Sequence, residues 1–342
     1  MAMRLGITLP FDPFINRHLP ELVRAADRSG YTDAWSYESF GSDAFSPINA
    51  AAMLTDKLRF GSAIVPVFTR SPELIAMCAI TTQQLTGGRF ILGLGVSTPN
   101  IVQQWMNVPF RKPNTQMRET VEVLRAIFRG EKVTYEGKVH RTNGFRLDIQ
   151  MTEPPPPIYV GAQGSQMLRI AGEIGDGVIV NFVTPETLPA MLDHTREGMR
   201  ATGKDPARLE VGCRIIIAVD EDHDTILNLY RRSLTAYVTV PQYNKFFREI
   251  GYEAESAKAI DAWNAGDRKT ALASITDEMV EKIFVFGSPE KCAKRLRDYE
   301  RGGITSSALQ FNSLARDPEQ RRTQILRSIE RLADAWRASA RA

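Results

Sequence analysis

The sequence has 342 residues, of which 43% are hydrophobic and 24% are charged, values that are ordinary for a globular protein. Lys and Arg number 43 against 40 Asp and Glu, and neither a basic stripe nor an apolar run of about 18 residues occurs, so we expect no nucleic-acid partner and no membrane span. The three cysteines are widely spaced, which argues against a disulfide framework, and the four histidines lack metal-ligand spacing, which argues against a metal site. The start of the chain does not resemble a signal peptide, so we expect a cytoplasmic protein.

Short apolar runs alternate with amphipathic helices along the chain. We predict strands over 4–9, 33–38, 58–67, 90–96, 158–161, 177–181, 210–219 and 305–311, and helices over 19–26, 47–54, 72–85, 101–106, 115–128, 165–173, 186–201 and 320–336. This alternation indicates a parallel sheet, and eight strands are the number that closes a (β/α)8 TIM barrel. An open doubly wound sheet would require a Gly-x-Gly-x-x-Gly motif after the first strand, where residues 10–18 contain no glycine.

Two segments exceed the needs of a simple barrel. Turn signals at Glu136-Gly137 and Asn143-Gly144 predict a hairpin insertion near 131–153. Between the seventh and eighth strands, helical patterns over 225–237 and 241–250 predict a helical insertion near 223–282, and a further helix is predicted over 289–299, the barrel's seventh. We therefore predict an α/β fold, a single TIM-barrel domain over 1–342 with insertions.

Active sites of TIM barrels lie at the carboxyl ends of the strands. Glu38 follows the second strand and has two interpretations: an acid, base or ligand-orienting group, or a loop carboxylate near a helix start. Gly95 ends the fourth strand, where it permits close backbone approach to a flat ligand or serves a tight turn. The fifth strand runs into Gly161, Ala162, Gln163, Gly164, Ser165 and Gln166 at a predicted helix start, a pattern typical of an anion site.

No nucleophile paired with a base is evident at these strand ends. Small residues, an anion seat and few reactive side chains together predict that a bound cofactor carries the chemistry.

The sequence resembles the luciferase-like superfamily, and within it the oxidoreductases that depend on the deazaflavin coenzyme F420. The resemblance rests on the motifs 61–64 (GSAI) with 68–72 (FTRSP), 85–90 (LTGGRF) with 92–95 (LGLG), 157–162 (PIYVGA), and 285–290 (VFGSPE). It implies a barrel whose strand ends hold the cofactor ring, backed by a non-prolyl cis peptide that falls here at Ala63–Ile64. It also implies that Gly95, Val96 and Ser97 flank the ring and that the loop from Gly161 to Gln166 holds the cofactor phosphate.

The sequence departs from this family at the end of the second strand. Several relatives carry an Asp-His pair there, and the matching positions are Glu38 and Ser39. Glu38 is acidic like the aspartate of these relatives, whereas Ser39 replaces their histidine. We therefore take Glu38 and Ser39 as the catalytic positions, with Glu38 as the candidate for proton transfer. His18, in the first loop, is an alternative base.

The resemblance implies an F420-dependent oxidoreductase that transfers a hydride between the deazaflavin C5 and a small organic substrate. The alternatives are an FMN-dependent monooxygenase using reduced flavin and oxygen, and a deazaflavin-binding protein without turnover. It also implies a homodimer packed through the early helices. The apolar residues over 48–54 and 74–85 are compatible with such an interface and equally with burial against the barrel. Five aromatic residues near the expected pocket favour either an apolar substrate or simple packing: Phe11, Phe14, Phe40, Phe45 and Tyr243.

Overall fold

The computed structural model describes residues 2–10, 17–39 and 41–340. Its strands are β1 (Gly6–Leu9), β2 (Asp33–Ser36), β3 (Arg59–Ser62), β4 (Val65–Pro66), β5 (Phe90–Gly95), β6 (Val133–Glu136), β7 (Arg141–Phe145), β8 (Ile158–Gly161), β9 (Gly177–Asn181), β10 (Glu210–Val219), β11 (Val285–Gly287) and β12 (Ser306–Phe311). Its helices are α1 (Leu19–Arg28), α2 (Phe45–Ala52), α3 (Pro72–Leu85), α4 (Pro113–Phe128), α5 (Ser165–Ile174), α6 (Leu188–Ala201), α7 (His223–Val238), α8 (Pro241–Glu249), α9 (Glu253–Asn264), α10 (Arg268–Ala273), α11 (Asp277–Ile283), α12 (Pro289–Arg301) and α13 (Pro318–Ser339). Every helix in the described ranges is too short or too polar to serve as a membrane span.

Eight of the strands form a closed parallel ring, which confirms the predicted (β/α)8 barrel. Their order is β1, β2, β3, β5, β8, β9, β10 and β12, and β12 lies beside β1. The register pairs Gly6 with Asp33 and Asp33 with Arg59. The strand starts therefore share one end of the ring, and the strand ends share the other.

Charged side chains fill the interior where the strands begin. Arg59 donates to both carboxylate oxygens of Asp33, at 3.2 and 2.8 Å, and to Glu210 at 3.0 Å. Tyr159 donates to the same Glu210 oxygen at 2.6 Å, and Ser306 donates to Asp33. Burial alone would lower the pKa of the Arg59 guanidinium, but its hydrogen bonds to Asp33 and Glu210 raise that pKa. This polar layer satisfies its own charges and closes the end of the barrel opposite the expected site.

A hydrophobic layer lies directly above the charged one. It consists of Trp35, Ile91, Tyr159, Ile179 and Ala308, with Ala63 and Ile64 packed against it. The Trp35 indole covers Gly61, where a Cβ atom would collide with the ring, and its Nε1 donates to Ser306 at 3.2 Å. The interior is thus filled up to the level of residues 63 and 64, as in a packed barrel core.

The chain forms two compact units. The first comprises Met1–Val180, Met191–Arg214 and Ile304–Ala308, and it contains residues of all eight ring strands. The second comprises Asn181–Ala190, Ile215–Gly303 and Leu309–Ala342, and it contains helices α7 to α13. The antiparallel pair β6–β7 lies in the first unit and α7 to α11 lie in the second. The single domain over 1–342, with insertions near 131–153 and 223–282, stays a prediction.

Some predicted elements differ from the structure. The third predicted strand, 58–67, is interrupted at residues 63 and 64 and leaves the two separate strands β3 and β4. The predicted 101–106 helix is a single π-helical turn over Asn100–Trp105. In the second unit, sequence periodicity missed α9, α10 and α11 and the three-residue strand β11.

Candidate active site at the carboxyl ends of the strands

The peptide bond Ala63–Ile64 is cis, as the resemblance implied. It lies between β3 and β4, and its neighbours hold it by two backbone hydrogen bonds. Ala63 N donates to Ser36 O at 2.6 Å, and Glu38 N donates to Ile64 O at 3.1 Å. The end of β2 therefore fixes the bulge from one side.

Two glycines on neighbouring strands make room for the Ile64 side chain. A Cβ atom on Gly95 would lie 2.6 Å from Ile64 Cδ1 and closer still to Cγ1. A Cβ atom on Gly161 would lie 2.9 Å from Ile64 Cγ2. Because atoms in contact are normally about 3.5–4.0 Å apart, neither position accepts a side chain without movement. Ile64, Gly95 and Gly161 form one surface without protruding groups, which we call the platform.

The residues after β5 leave the platform in a sharp turn. The Gly95 carbonyl accepts from Val67 N at 2.9 Å, which joins β4 to the end of β5. Val96 and Ser97 are half-buried, and Ser97 has a φ of 60°. Left-handed backbone is uncommon for residues other than glycine and marks positions where the surrounding structure fixes the conformation.

Glu38 is engaged in an ion pair with Arg70. The Arg70 Nε lies 2.9 and 3.2 Å from the two carboxylate oxygens, and its Nη2 lies 2.7 Å from Oε2. Ala44 N also donates to Glu38 at 3.3 Å. The hydrogen bonds to Glu38 raise the pKa of the Arg70 guanidinium. Arg70 lies within the 68–72 motif, but nothing in the sequence pattern indicated that it pairs with Glu38.

The loop after β8 contains the start of α5. Ala162 N donates to Ile179 O at 2.9 Å, so this amide orients the loop and is not directed at a ligand. The helix begins at Ser165, Leu168 N donates to Gly164 O, and Ser165 and Gln166 are exposed. The first amides of a helix have no partner within it and carry partial positive charge. The structure therefore places a helix start at this loop, and the anion seat stays a prediction.

A cation that the sequence analysis missed lies inside the ring. The Arg214 guanidinium carbon lies 4.4 Å from the centre of the Tyr37 ring. Both residues are half-buried. The signal was available in the sequence, because Arg214 is a single charge within the apolar run 211–219.

The other candidate residues have simpler positions. Ser39 is half-buried and follows Glu38, and His18 Nε2 accepts from Arg17 Nε at 2.9 Å. Phe45 is buried with its ring 6.1 Å from that of Phe90, so it belongs to the core and not to a pocket wall. Tyr243 lies in the second unit, with its ring 5.8 Å from that of Phe182. Phe11, Phe14 and Phe40 lie outside the described residues.

Comparison with known proteins gives a family match and distant relatives. A family model described as luciferase-like monooxygenase matches residues 3–306. The 5,10-methylenetetrahydromethanopterin reductase of Archaeoglobus fulgidus is 27% identical over 289 residues, which are 83% of this chain and 86% of that protein. A Mycobacterium tuberculosis protein provisionally named a coenzyme F420-dependent oxidoreductase is 28% identical over 328 residues, or 89% and 94% of the two chains. The structure of the coenzyme F420-dependent tetrahydromethanopterin reductase from Methanopyrus kandleri superposes with a TM-score of 0.79 at 24% identity and covers 98% of each chain, which supports the barrel fold.

Proposed function

This chain belongs to the luciferase-like monooxygenase family, and we propose that within it the chain is an oxidoreductase that uses coenzyme F420 to transfer a hydride to or from a small organic substrate. The observation that carries the proposal is the platform of Ile64, Gly95 and Gly161. Gly95 and Gly161 have no side chain, and a Cβ atom at either position would collide with Ile64. The resulting surface has no protruding groups, which suits a planar ring. The names of the relatives support F420 as the cofactor.

The residues at the strand ends fit this cofactor. Ile64 and Ala63 would support the back of the ring, while Gly95, Val96 and Ser97 would lie along its edge. When bound, F420 supplies a carbon, C5, that accepts or donates a hydride. The protein's own contribution is to hold the ring rigidly and to keep the reacting face accessible to the substrate.

The helix start at residues 163–166 would hold the cofactor phosphate. Backbone amides and the positive end of α5 suit an oxyanion without a lysine or arginine at the loop itself. Ala162 and Gly161 position this segment, because the Ala162 amide is bonded to β9. The anion seat and the platform share the loop after β8, so one cofactor can occupy both.

Within this proposal, Glu38 orients the site through its pairing with Arg70. Its two oxygens face the Arg70 guanidinium, and its backbone amide holds the Ile64 carbonyl. Glu38 would therefore orient the bulge and accept hydrogen bonds from the substrate. Ser39, in the place of the histidine of several relatives, offers a hydroxyl that can donate or accept a hydrogen bond.

We further propose that the protein is a homodimer that associates through α3. Three large apolar side chains on this helix are exposed, namely Leu74, Met77 and Leu85, and their spacing places them on one face. Light scattering should give twice the 38.3 kDa chain mass, and M77E with L85E should give the monomer. The matched control is L229E, which changes an exposed leucine on α7. A monomeric wild-type protein contradicts this proposal.

Cofactor titration tests the proposed function. We expect F420 fluorescence to change on binding to the wild-type protein, with FMN binding at least about tenfold more weakly. Gly161→Ala should weaken F420 binding because its Cβ displaces Ile64. Gly41→Ala, outside both the platform and the loop after β8, should not, because no atom lies within 4 Å of its Cβ position.

Three outcomes oppose the proposal. Preferential FMN binding, followed by oxygen consumption with reduced FMN, supports the monooxygenase alternative. Tight F420 binding without turnover on a panel of alcohols, imines and enones supports the binding-protein alternative. Equal F420 affinity in the two glycine variants would show that the platform does not contact the ring.

A further inference from the structure

Strand β10 contains one charged residue in its middle. All other residues from 211 to 219 are buried, whereas Arg214 is half-buried. The side chains of a strand alternate between its two faces. Glu210 contacts Arg59 and Tyr159 inside the ring, and a Cβ atom on Gly212 would lie 3.7 Å from the Trp35 ring. Arg214 continues this inward series and lies one step nearer the strand ends than Trp35.

Tyr37 reaches the same level from β2. Asp33 and Trp35 point into the ring, and residue 37 is the next in that alternation. The Arg214 guanidinium stacks on the Tyr37 ring with 4.4 Å between the guanidinium carbon and the ring centre. Stacking on an aromatic face leaves the N–H groups in the guanidinium plane directed away from that face. Tyr37 therefore fixes the orientation of a fork of donors at the barrel mouth.

The order of the strands separates Arg214 from the platform. Ile64, Gly95 and Gly161 belong to the neighbouring strands β3, β5 and β8 and the bulge after β3. Strand β10, which carries Arg214, is separated from β8 by β9 and from β3 by β12, β1 and β2, whereas Tyr37 follows β2, the direct neighbour of β3. The platform side of the mouth is thus small and apolar, and β10 adds a cation on another side.

We propose that Arg214, oriented by Tyr37, binds an oxyanion group of the substrate, a carboxylate or a phosphate, at the barrel mouth. A guanidinium is always charged and matches both groups with two parallel hydrogen bonds. A charge on the inner face of a strand that is otherwise apolar breaks the expected pattern, and such departures are typical of functional positions. The proposal rests on the proposed function in one respect: the platform side of the mouth is left for the cofactor ring.

Calorimetry on the cofactor-free protein tests this site with benzoate and phenyl phosphate as the probes. Benzamide, which is uncharged, is the reference for both. We expect at least one anion to bind about tenfold or more tightly than benzamide. Arg214→Gln should abolish this preference, and Arg214→Lys should keep part of it. Tyr37→Leu should weaken anion binding without abolishing it, because the charge remains but its orientation is lost.

Arg208→Gln is the matched control, since Arg208 is an exposed arginine just before β10. It should leave all three affinities unchanged. Circular dichroism verifies that each variant is folded, and Arg214→Lys keeps the test decisive if the glutamine variant does not fold. Preference for benzoate assigns a carboxylate to the site, and preference for phenyl phosphate assigns a phosphate.

Three results overturn the proposal. The first is wild-type protein that binds neither anion better than benzamide, and the second is an Arg214→Gln variant that keeps the preference. The third is an Arg214→Gln variant that loses affinity for F420 while benzoate and F420 compete in the wild type, which would assign the cation to the cofactor. Failure of F420 to bind at all would contradict the proposed function but leave the anion preference measurable, so the two failures are distinguishable.

Discussion

The fit between Gly95 and Ile64 yields a quantitative prediction. In Gly95→Ala, the new Cβ lies 2.6 Å from Ile64 Cδ1, about 1 Å short of a normal contact. Ile64 sits between two strands and cannot turn away toward Gly161, where its Cγ2 already occupies the space of a Cβ. We therefore expect a loss of about 1–3 kcal/mol in the free energy of unfolding, the usual cost of overpacking.

Removing the colliding atoms should reverse much of this loss. In Ile64→Ala, only the Cβ atom remains, 3.2 Å from the Cβ of Gly95→Ala. The double variant should thus be more stable than the sum of the single changes predicts, by about 1–2 kcal/mol of coupling free energy. Urea denaturation of the wild type, the two single variants and the double variant measures this coupling. F420 titration of the same four proteins measures how each change to the platform affects cofactor affinity.

The control for this cycle is Gly41→Ala, whose Cβ position is open. It should change stability by less than about 0.5 kcal/mol and show no coupling to Ile64→Ala. Strictly additive effects of Gly95→Ala and Ile64→Ala would refute the reasoning, because the predicted cost arises only from the contact between these two residues.

Two further predictions concern carboxylates away from the platform. The Glu119 carboxylate is buried in α4 and accepts hydrogen bonds from the backbone amides of Lys138, Val139 and His140 at 2.7–3.0 Å. Glu119→Gln should lower the free energy of unfolding by about 1–3 kcal/mol and accelerate hydrogen exchange at those three amides. Unchanged hydrogen exchange at these amides would contradict the prediction. Burial alone would raise the pKa of Glu210, but hydrogen bonds from Tyr159 and Arg59 lower it below its ordinary value of 4.5. The stabilising contribution of the Glu210 carboxylate is therefore complete above pH 4.5 and is lost as the pH falls through the lowered pKa. Glu210→Gln should reduce the free energy of unfolding at pH 7. In urea unfolding, the variant should also show a smaller loss of this free energy below pH 4.5 than the wild type.

The sequence was sufficient to predict the barrel because strand and helix periodicities alternate clearly. It could not define the bulge within 58–67, since a run of apolar residues has the same pattern whether or not one peptide bond is cis. The resemblance, and not the periodicity, located that bond at Ala63–Ile64. Helices α10 and α11 have six and seven residues, about two turns, which is too short for an apolar repeat to be recognised.

The sequence predicted which strand ends form the candidate site, but it did not predict which residues contact one another there. Gly95 and Gly161 were identified from their positions at strand ends, but their shared neighbour Ile64 became evident only from the distances. The pairing of Glu38 with Arg70 joins residues 32 positions apart and depends on how two strand ends meet. Arg214 could have been found by counting alternate residues from Glu210, because an inward-facing charge in an apolar strand is visible in the sequence alone.

The last strand of the ring, β12, pairs with β1 at the start of the chain, and this affects folding during translation. Ser306 is bonded to Trp35 and Asp33, across 271 and 273 residues of sequence. Ribosomes add about 5–20 residues per second, so Trp35 and the edge of β1 wait on the order of 15–60 s before Ser306 and β12 are synthesised. During that time, an unpaired strand edge is accessible to other chains in the cell. Nascent chains that lack β12 should therefore depend on chaperones, and the interval in which they do so ends when β12 leaves the ribosome.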